Sequence, residues 1–216
     1  EERCECCLSR SSARYFQGLI SMSGAIQVRD AERADIPEIV RIHRAAFPGF
    51  LMTLLGPAFL RRYYETVLDY EKRVFVVTVD QQGRLQGFAA GFLHPADFYK
   101  LLGARKRRMM LAGALHVAVR PMVWARVIEN MGQVGQRAQA ESKAAAKAVE
   151  LASIGVSPVV GGKGWGKALV LGFIRRARDV GGRVVELTTD ADGNQRVNGF
   201  YQGLGFSLVT TSVRAG

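Results

Sequence analysis

Residues 150–170, ELASIGVSPVVGGKGWGKALV, decide how this chain folds. The stretch begins with alternating apolar and small residues that stop at Pro158, which predicts a strand. Four glycines then fall within residues 161–166, and a helical apolar pattern starts at Leu169. A strand, a glycine loop and a helix start leave several backbone N–H groups pointing at one place, where the helix dipole also favours an anion. The stretch therefore predicts a diphosphate-binding loop.

Two kinds of phosphate loop are compatible with residues 161–168. The nucleoside triphosphatase pattern G-x-x-x-x-G-K-[ST] fits except at its last position, where Ala168 has no hydroxyl to help hold Mg²⁺. Asp190 ends a later predicted strand but has no independent support as the metal-binding acid. A diphosphate held by backbone amides needs neither hydroxyl nor metal. A glycine-rich turn without a ligand stays open as a third interpretation.

The rest of the chain alternates strand and helix signals. A strand and a helix capped at Asp35 are expected within residues 25–47. The remaining predictions are a helix over 56–70, strands over 73–80 and 84–93, a strand over 149–158, a helix over 166–180, a strand over 183–190, a helix over 194–204 and a strand over 206–214. Residues 95–148 lose strand character and predict an inserted helical segment, broken near Gly103 and Pro121.

The first 21 residues differ from the rest. They contain all three cysteines, Cys4, Cys6 and Cys7, so cysteine chemistry is excluded from residue 8 onward, and a metal site on these three is disfavoured by their spacing. Met22 resembles a natural start and YFQG the end of a protease tag site, so we expect residues 1–21 to be a disordered or tag-derived extension of a single domain over 22–216. Because no signal peptide or spanning apolar stretch is recognisable, we expect a cytoplasmic protein.

The loop resembles the acetyl-coenzyme A motif of the GNAT superfamily of N-acetyltransferases, Arg/Gln-x-x-Gly-x-Gly/Ala. Gly164 and Gly166 match this motif, whereas Gly161 stands where Arg or Gln is usual. A second match lies in LTTDADGNQRVNGFYQGLGF, where Asn194, Phe200, Tyr201 and residues 204–206 correspond to the later family segment. The resemblance implies an α/β (α+β) fold with a central mixed, mostly antiparallel sheet flanked by helices, and a helical insertion between its third and fourth strands.

The resemblance also implies a function and a set of site residues. The expected reaction is transfer of an acetyl group from acetyl-CoA to the amine of a small-molecule acceptor by direct attack in a ternary complex, without a metal. Tyr201 would protonate the departing thiolate, Glu150 or His94 would serve as general base, and Asn194 would bind the cofactor. Backbone groups near Ile154, Gly155 and Val156 would hold the pantetheine and the oxyanion. The loop residues expected to bind the diphosphate are Gly161, Gly162, Lys163, Gly164, Trp165, Gly166 and Lys167. His43 and His116 match no motif.

The net charge of +11 is concentrated in one segment, because residues 94–149 hold ten Lys or Arg against three Asp or Glu. Residues 104–127 are compatible with a peripheral membrane helix, or with a helix that packs Met109, Met110, Leu111 and Leu115 into the core. The packed helix is favoured. The family resemblance implies that the acceptor is an amino sugar or another small amine. A homodimer is an open alternative to a monomer. Nucleic-acid binding is not expected, since aromatic residues do not interleave with the cations. Alternative functions are a non-catalytic acyl-CoA-binding GNAT fold and a basic nucleic-acid- or membrane-binding protein.

Overall fold

The sheet runs through the whole domain and contains seven strands in the order β2-β3-β4-β5-β6-β1-β7. The computed structural model describes residues 2–7, 26–118, 147–190 and 193–211. The strands are β1 (Glu2–Cys7), β2 (Gln27–Asp30), β3 (Arg73–Val79), β4 (Leu85–Leu93), β5 (Ala148–Val156), β6 (Val184–Thr189) and β7 (Ser207–Thr211). All neighbouring pairs are antiparallel except β5 and β6, which are parallel. This is the mixed, mostly antiparallel sheet that the family resemblance implies, and the expected fold is confirmed.

Six α-helices of the described chain pack beside the sheet. They are α1 (Ile36–Ala46), α2 (Leu51–Leu54), α3 (Pro57–Asp69), α4 (Pro95–Ala118), α5 (Trp165–Asp179) and α6 (Gln195–Gln202). Proline lies in the first turn of α1 and of α3, where its missing N–H has no helical partner to lose. Asp35 precedes α1 but makes no side-chain cap. Its carboxylate instead accepts hydrogen bonds from Arg29 and from the amide of Glu32.

The sheet separates two apolar cores. On one face, α5 packs Leu169, Phe173 and Ile174 against residues of β3, β4, β5 and β6, and we call this the α5 core. On the other face, α1, α3 and α4 pack around Tyr64, Phe88 and Phe98, and we call this the α1/α3 core. The burial of strand side chains on both faces explains why β3 and β4 read as continuous apolar runs.

A β-bulge interrupts β5 at the middle of the domain. Ala90 of β4 pairs with Ser153 and the next residue, Gly91, pairs with Leu151, so Ala152 is the extra residue. Because of this insertion, side chains of β5 change face after Ala152. Leu151 and Ile154 both pack against the α5 core, whereas Ser153 contacts Tyr64 in the α1/α3 core.

The parallel pairing of β5 with β6 is short. It comprises Ala148 with Val184, Val149 with Val185, and Glu150 with Glu186. Beyond Glu150, β5 continues to Val156 and keeps its pairing with β4, while β6 continues to Thr189 and keeps its pairing with β1. The two strands therefore separate after this three-pair seam, and among the described strands β5 has an unpaired edge over residues 151–156.

The first 21 residues, which we expect to be a disordered or tag-derived extension, include a strand, and the tag-derived alternative stays a prediction. Residues Glu2–Cys7 form β1, which lies between β6 and β7 and pairs antiparallel with both. The physical reason is that β6 and β7 do not pair with each other, which leaves a strand position between them. Residue 1 and residues 8–21 lie outside the described residues.

The basic helix is also longer than predicted. Helix α4 continues through Gly103 without a break, because an exposed glycine lowers helix stability without preventing the backbone hydrogen bonds. Pro121, the second expected break, lies in the undescribed segment 119–146. In the part of the chain that the structure describes, no helix combines the length and apolarity needed to cross a membrane.

Candidate active site

Strands β5 and β6 stop pairing after Glu150, and the glycine loop follows the end of β5 that is unpaired on this side. We call the space between the unpaired parts of the two strands the cleft. After β5 the amide of Ser157 donates to the Gln86 carbonyl at 2.8 Å, and residues Pro158–Val160 form one 3-10 turn. Gly161–Gly164 are exposed and lead directly into α5. The loop predicted from sequence therefore connects the unpaired strand edge to a helix N-terminus.

Backbone conformation explains two of the loop glycines. Gly162 and Gly164 have φ values of +76° and +85°, which side chains with a Cβ rarely adopt. Gly164 is the N-terminal capping residue of α5, and its carbonyl accepts the Ala168 amide at 3.0 Å. Among the described residues, no backbone partner is found for the amides of Gly162, Lys163 and Gly164. These amides and those of the first helical turn are available to an anion.

Gly161 differs from its neighbours. Its φ of −54° and ψ of 146° are open to any residue, and a Cβ there would meet only the Pro158 carbonyl oxygen, at 3.5 Å. Nothing in the described loop therefore requires glycine at this position.

Helix α6 lies beside the start of α5 and the end of β5. A Cβ built on Gly166 would lie 3.6 Å from Phe200 Cζ of α6 and 3.9 Å from Val156 Cγ2 of β5. The end of β5, the first turn of α5 and the middle of α6 therefore meet at one place. The two sequence segments that resemble the family motifs are thus neighbours in space.

Tyr201 lies on α6 with its side chain buried. It is 5% exposed and belongs to the α5 core, with its ring 5.2 Å from that of Phe200 and 5.4 Å from that of Phe206. Edge-on contacts of this kind hold the ring in one orientation. Tyr201 is therefore a rigid side chain on the helix that borders the cleft.

Two asparagines occupy different positions on α6. Asn194 precedes the helix, and its carbonyl accepts the amides of Val197 and Asn198, while its side chain makes no cap hydrogen bond. Asn198 is buried, accepts a hydrogen bond from Thr189 Oγ1 at 2.6 Å, and donates to the Asp190 carbonyl at 3.2 Å. Asn198, which the sequence did not single out, therefore ties α6 to the end of β6, and Asn194 stays a prediction.

Glu150 lies at the last residue pair of the seam. It is half-buried, and Tyr99 of α4 donates a hydrogen bond to Glu150 Oε1 at 2.9 Å. Burial and the negative charge of Glu150 raise the pKa of the neighbouring Tyr63, so this phenol stays protonated. Glu150 therefore lies where the cleft begins, on the side of the sheet that faces α3 and α4.

His94 has a structural position in the turn before α4. Its φ is +58°, and its carbonyl accepts the amide of Asp97 at 3.1 Å. The Tyr70 hydroxyl donates to the Leu93 carbonyl at 2.9 Å beside it. His94 thus begins a helix, and its role as a base stays a prediction.

A buried polar chain crosses the α1/α3 core and was missed from the sequence. His43 Nδ1 is 2.6 Å from the Tyr64 hydroxyl, which is 3.1 Å from Ser153 Oγ on β5. Burial lowers the pKa of His43 to about 4. His43 and Tyr64 fall on the apolar faces of their predicted helices. A polar side chain on an apolar face was the only sequence signal for this buried hydrogen-bonded chain.

The described part of the basic segment packs against α3 on the α1/α3 side of the sheet. Arg105 of α4 and Arg33 both pair with Asp69, at 2.6 Å each, and together they hold the pKa of Asp69 low. Met109 packs into the α1/α3 core, whereas Leu111 is 75% exposed. A cavity of about 730 Å³ lies between α3 and α4, and none of its described lining residues comes from β5, β6, α5 or α6. Leu115 has no described side chain, and residues 119–127 of the predicted membrane segment lie outside the described residues.

Comparison with known proteins gives a family match and several similar structures. The family model "Acetyltransferase (GNAT) family" matches residues 36–206. The aminoglycoside N-acetyltransferase AAC(6')-Iy in complex with CoA is 13% identical, with a TM-score of 0.58 over 90% of this chain and 97% of its own. The transcriptional regulator from Bacillus halodurans C-125 is 14% identical, with a TM-score of 0.56 over 88% of this chain and 99% of its own.

A third structure and one further complex complete the comparison. Ard1 from Thermoplasma volcanium is 14% identical, with a TM-score of 0.53 over 86% of this chain and 85% of its own. AAC(6')-Iy has also been solved with the bisubstrate analogue CoA-S-monomethyl-acetylneamine. No curated protein matches the chain by sequence. The structural similarities show the fold, and the family model matches most of the chain, from α1 to the residue before β7, so the chain belongs to the GNAT acetyltransferase family.

Proposed function

We propose that this protein transfers an acetyl group from acetyl-CoA to the amine of a small-molecule acceptor. The observation that carries the proposal is the cleft between β5 and β6, which ends at a glycine loop and a helix N-terminus. Family membership supports acyl-CoA as donor, and the CoA complex of AAC(6')-Iy supports it further.

The residues of this chain suit two parts of a coenzyme A molecule, its diphosphate and its pantetheine arm. The loop amides from Gly161 to Lys167 would hold the diphosphate, because they meet at a helix N-terminus with no backbone partner described for Gly162, Lys163 and Gly164. The unpaired edge of β5 would hydrogen-bond the pantetheine amides as a neighbouring strand does, through Ile154, Gly155 and Val156. Asn194 would bind beside them.

The reaction needs little from the protein beyond positioning and proton transfer. The amine lone pair forms the new N–C bond to the thioester carbonyl carbon, the C–S bond breaks, and the electron pair leaves with sulfur. Backbone amides of β5 near Gly155 would stabilise the negative charge on the carbonyl oxygen. No step of this reaction requires a metal.

Two side chains would handle the protons. Glu150 lies at the closed end of the cleft and would accept the proton that the ammonium form of the acceptor must lose. Tyr201 would protonate the departing thiolate from α6.

Calorimetry with acetyl-CoA tests the proposal directly, followed by an amine panel with thiol-release detection. The panel should include aminoglycosides, glucosamine and simple primary amines. We expect heat on adding acetyl-CoA and acceptor-dependent thiol release. No heat would contradict the proposed donor, and heat without thiol release for any amine would favour a binding protein.

Substituting Tyr201 with Phe tests the acid. Tyr201→Phe removes one oxygen from a buried ring and leaves its aromatic contacts in place. We expect kcat to fall by about 10- to 100-fold with little change in the acetyl-CoA Kd. An unchanged kcat would remove the acid role without affecting the proposed reaction.

A further inference from the structure

The buried chain of His43, Tyr64 and Ser153 connects three elements that the fold brings together only in space. His43 lies on α1, Tyr64 on α3 and Ser153 on β5. The contacts measure 2.6 Å between His43 Nδ1 and the Tyr64 hydroxyl, and 3.1 Å between that hydroxyl and Ser153 Oγ. Both are within hydrogen-bonding distance, so one continuous chain runs from the helix to the strand.

Only one end of this chain is accessible. Tyr64 has no exposed surface and His43 is 4% exposed, whereas Ser153 is partly exposed. His43 Nε2 is buried and has no hydrogen-bond partner among the described residues. Aromatic rings contact the imidazole, from Phe47 immediately after α1 and from Phe88 on β4. Any ligand that meets this chain must therefore meet it at Ser153.

The bulge places that accessible end at the reaction site. Ala152 is the extra residue of β5, and it turns Ser153 towards Tyr64 instead of the α5 core. Ser153 immediately precedes the backbone groups that the proposed function assigns to the thioester. A serine hydroxyl has one hydrogen and two lone pairs, and the contact with Tyr64 uses only one of these three.

The hydrogen-bonded chain of His43, Tyr64 and Ser153 orients the Ser153 hydroxyl and carries no charge. Because burial lowers the pKa of His43 to about 4, the imidazole is neutral at neutral pH, and storing a proton on it would be unfavourable. A neutral imidazole can accept the Tyr64 hydrogen at Nδ1, and Tyr64 can then accept the Ser153 hydrogen. In this arrangement a lone pair of Ser153 Oγ is left to accept a hydrogen bond from outside.

We propose that Ser153 is a catalytic residue that accepts a hydrogen bond from the attacking amine, and that Tyr64 and His43 are positioning residues for its hydroxyl. The inference rests on the proposed function. The hydrogen bond fixes the amine so that its lone pair faces the thioester carbonyl carbon. Glu150 first takes one proton from the ammonium form of the amine and releases it to solvent. The N–C bond then forms as the C–S bond breaks, the sulfur takes a proton from Tyr201, and the second amine proton is released to solvent, from which Tyr201 is reprotonated.

Three variants test the chain once an acceptor is known. Ser153→Ala and Tyr64→Phe each remove a single oxygen, and the third variant combines them. We expect each single variant to lower kcat/KM for the amine by about fivefold to tenfold, with an unchanged acetyl-CoA Kd. The double variant should be no slower than the slower single variant, because both break the same chain. Ser153→Thr keeps the hydroxyl and should retain most of the activity.

A matched control separates positioning from packing. Tyr70→Phe also removes a phenol oxygen that hydrogen-bonds in the same core, to the Leu93 carbonyl at 2.9 Å. It should leave kcat/KM for the amine unchanged. If Tyr64→Phe does not fold, the comparison of Ser153→Ala with Ser153→Thr still decides the role of the hydroxyl.

The outcomes distinguish this inference from the proposed function. If the unaltered protein binds no acetyl-CoA, the proposed function fails. If it acetylates an amine and Ser153→Ala is fully active, only the inference about Ser153 fails. Additive losses of kcat/KM in the double variant would overturn the inference that Tyr64 acts through Ser153. A shift of the acidic limb of the pH–rate profile in Tyr64→Phe would also overturn it, since a residue that only positions the Ser153 hydroxyl does not set the pH dependence of the rate.

Discussion

At the residue scale, His43 places a titratable ring in an apolar core. Its imidazole lies against Phe47 and Phe88 and is 4% exposed. Burial disfavours the charged form, which lowers its pKa from the ordinary 6.5 to about 4. His43 therefore binds a proton more weakly in the folded protein than in the unfolded chain.

This pKa shift predicts acid sensitivity. Between pH 6.5 and 4 the unfolded chain binds a proton at His43 and the folded chain does not, so stability is present above pH 6.5 and is lost as the pH falls. At pH 5 the loss is about 2 kcal/mol relative to pH 7.5. Urea unfolding of the unaltered protein and of His43→Gln at both pH values measures it. The variant should lose about 2 kcal/mol less, and equal losses in both proteins would contradict the assignment.

Gly161 gives a second prediction at this scale. Its conformation suits any residue, and a Cβ meets only the Pro158 oxygen at 3.5 Å, so Gly161→Gln should fold normally. The added amide side chain would supply one more donor beside the loop. We expect the acetyl-CoA Kd to fall by about threefold to tenfold in calorimetry.

The adjacent glycine is the matched control for this substitution. Gly162 has a φ of +76°, so Gly162→Gln adds the same side chain at a strained position. It should weaken acetyl-CoA binding and lower stability. If both variants bind acetyl-CoA equally well, the loop conformation has no part in binding.

At the element scale, the bulge of β5 depends on the strand beside it. A Cβ on Gly91 of β4 would overlap the Glu150 carbonyl oxygen and lie 2.7 Å from Phe173 Cζ. The overlapped atom belongs to the backbone of β5 and cannot rotate away. Glycine at this position therefore permits the close approach that the bulge and the seam require.

Gly91→Ala should accordingly be strongly destabilising, by about 3 kcal/mol, because it overpacks two strands. Gly103→Ala is the control, since a Cβ on that exposed glycine of α4 meets nothing within 4 Å. It should stabilise the protein by about 0.5–1 kcal/mol through helix propensity. Denaturant unfolding of both variants checks the contrast, and similar effects in both would contradict the close approach.

Elements were predictable from sequence where the pattern is local. Apart from the short α2 and the expected break near Gly103, the described strands and helices from residue 26 onward follow from periodicity, prolines and glycines, with ends that differ by a few residues. The glycine loop was also predictable, because its four glycines lie between a strand signal and a helix signal. The bulge at Ala152 and the chain through Ser153 were not predictable, because both depend on contacts between residues far apart in sequence. His43 and Tyr64 read as ordinary members of apolar helix faces for the same reason.

At the scale of the whole molecule, β1 joins the sheet from the other end of the chain. It has a neighbour on each side, with Glu5 paired to Glu186 on β6 and to Ser207 on β7. Among the described strands, β7 pairs only with β1. The place of β7 in the sheet therefore depends on residues 2–7, which we expected from the sequence to lie outside the domain.

A proline in β1 tests this dependence. Because β1 is flanked on both sides, any of its amides faces a neighbouring strand, and Glu5→Pro removes one ladder hydrogen bond. We expect Glu5→Pro to lower the free energy of unfolding by about 1–3 kcal/mol relative to Glu5→Ala. Thermal or urea unfolding measures the difference, and equal stability of the two variants would mean that β1 is dispensable.

The three-pair seam between β5 and β6 also has a mechanical consequence. It joins two ribbons of the sheet at one end only, so it can act as a pivot for them. The edge from Glu150 to Val156 is about 20 Å long, and a rotation of about 5° would move its far end by about 2 Å. Ser153 lies half as far from the pivot and Glu150 lies on it. Small rotations would therefore widen the space at the glycine loop, where we propose that the diphosphate binds, while leaving the carboxylate of Glu150, the proposed base, almost still.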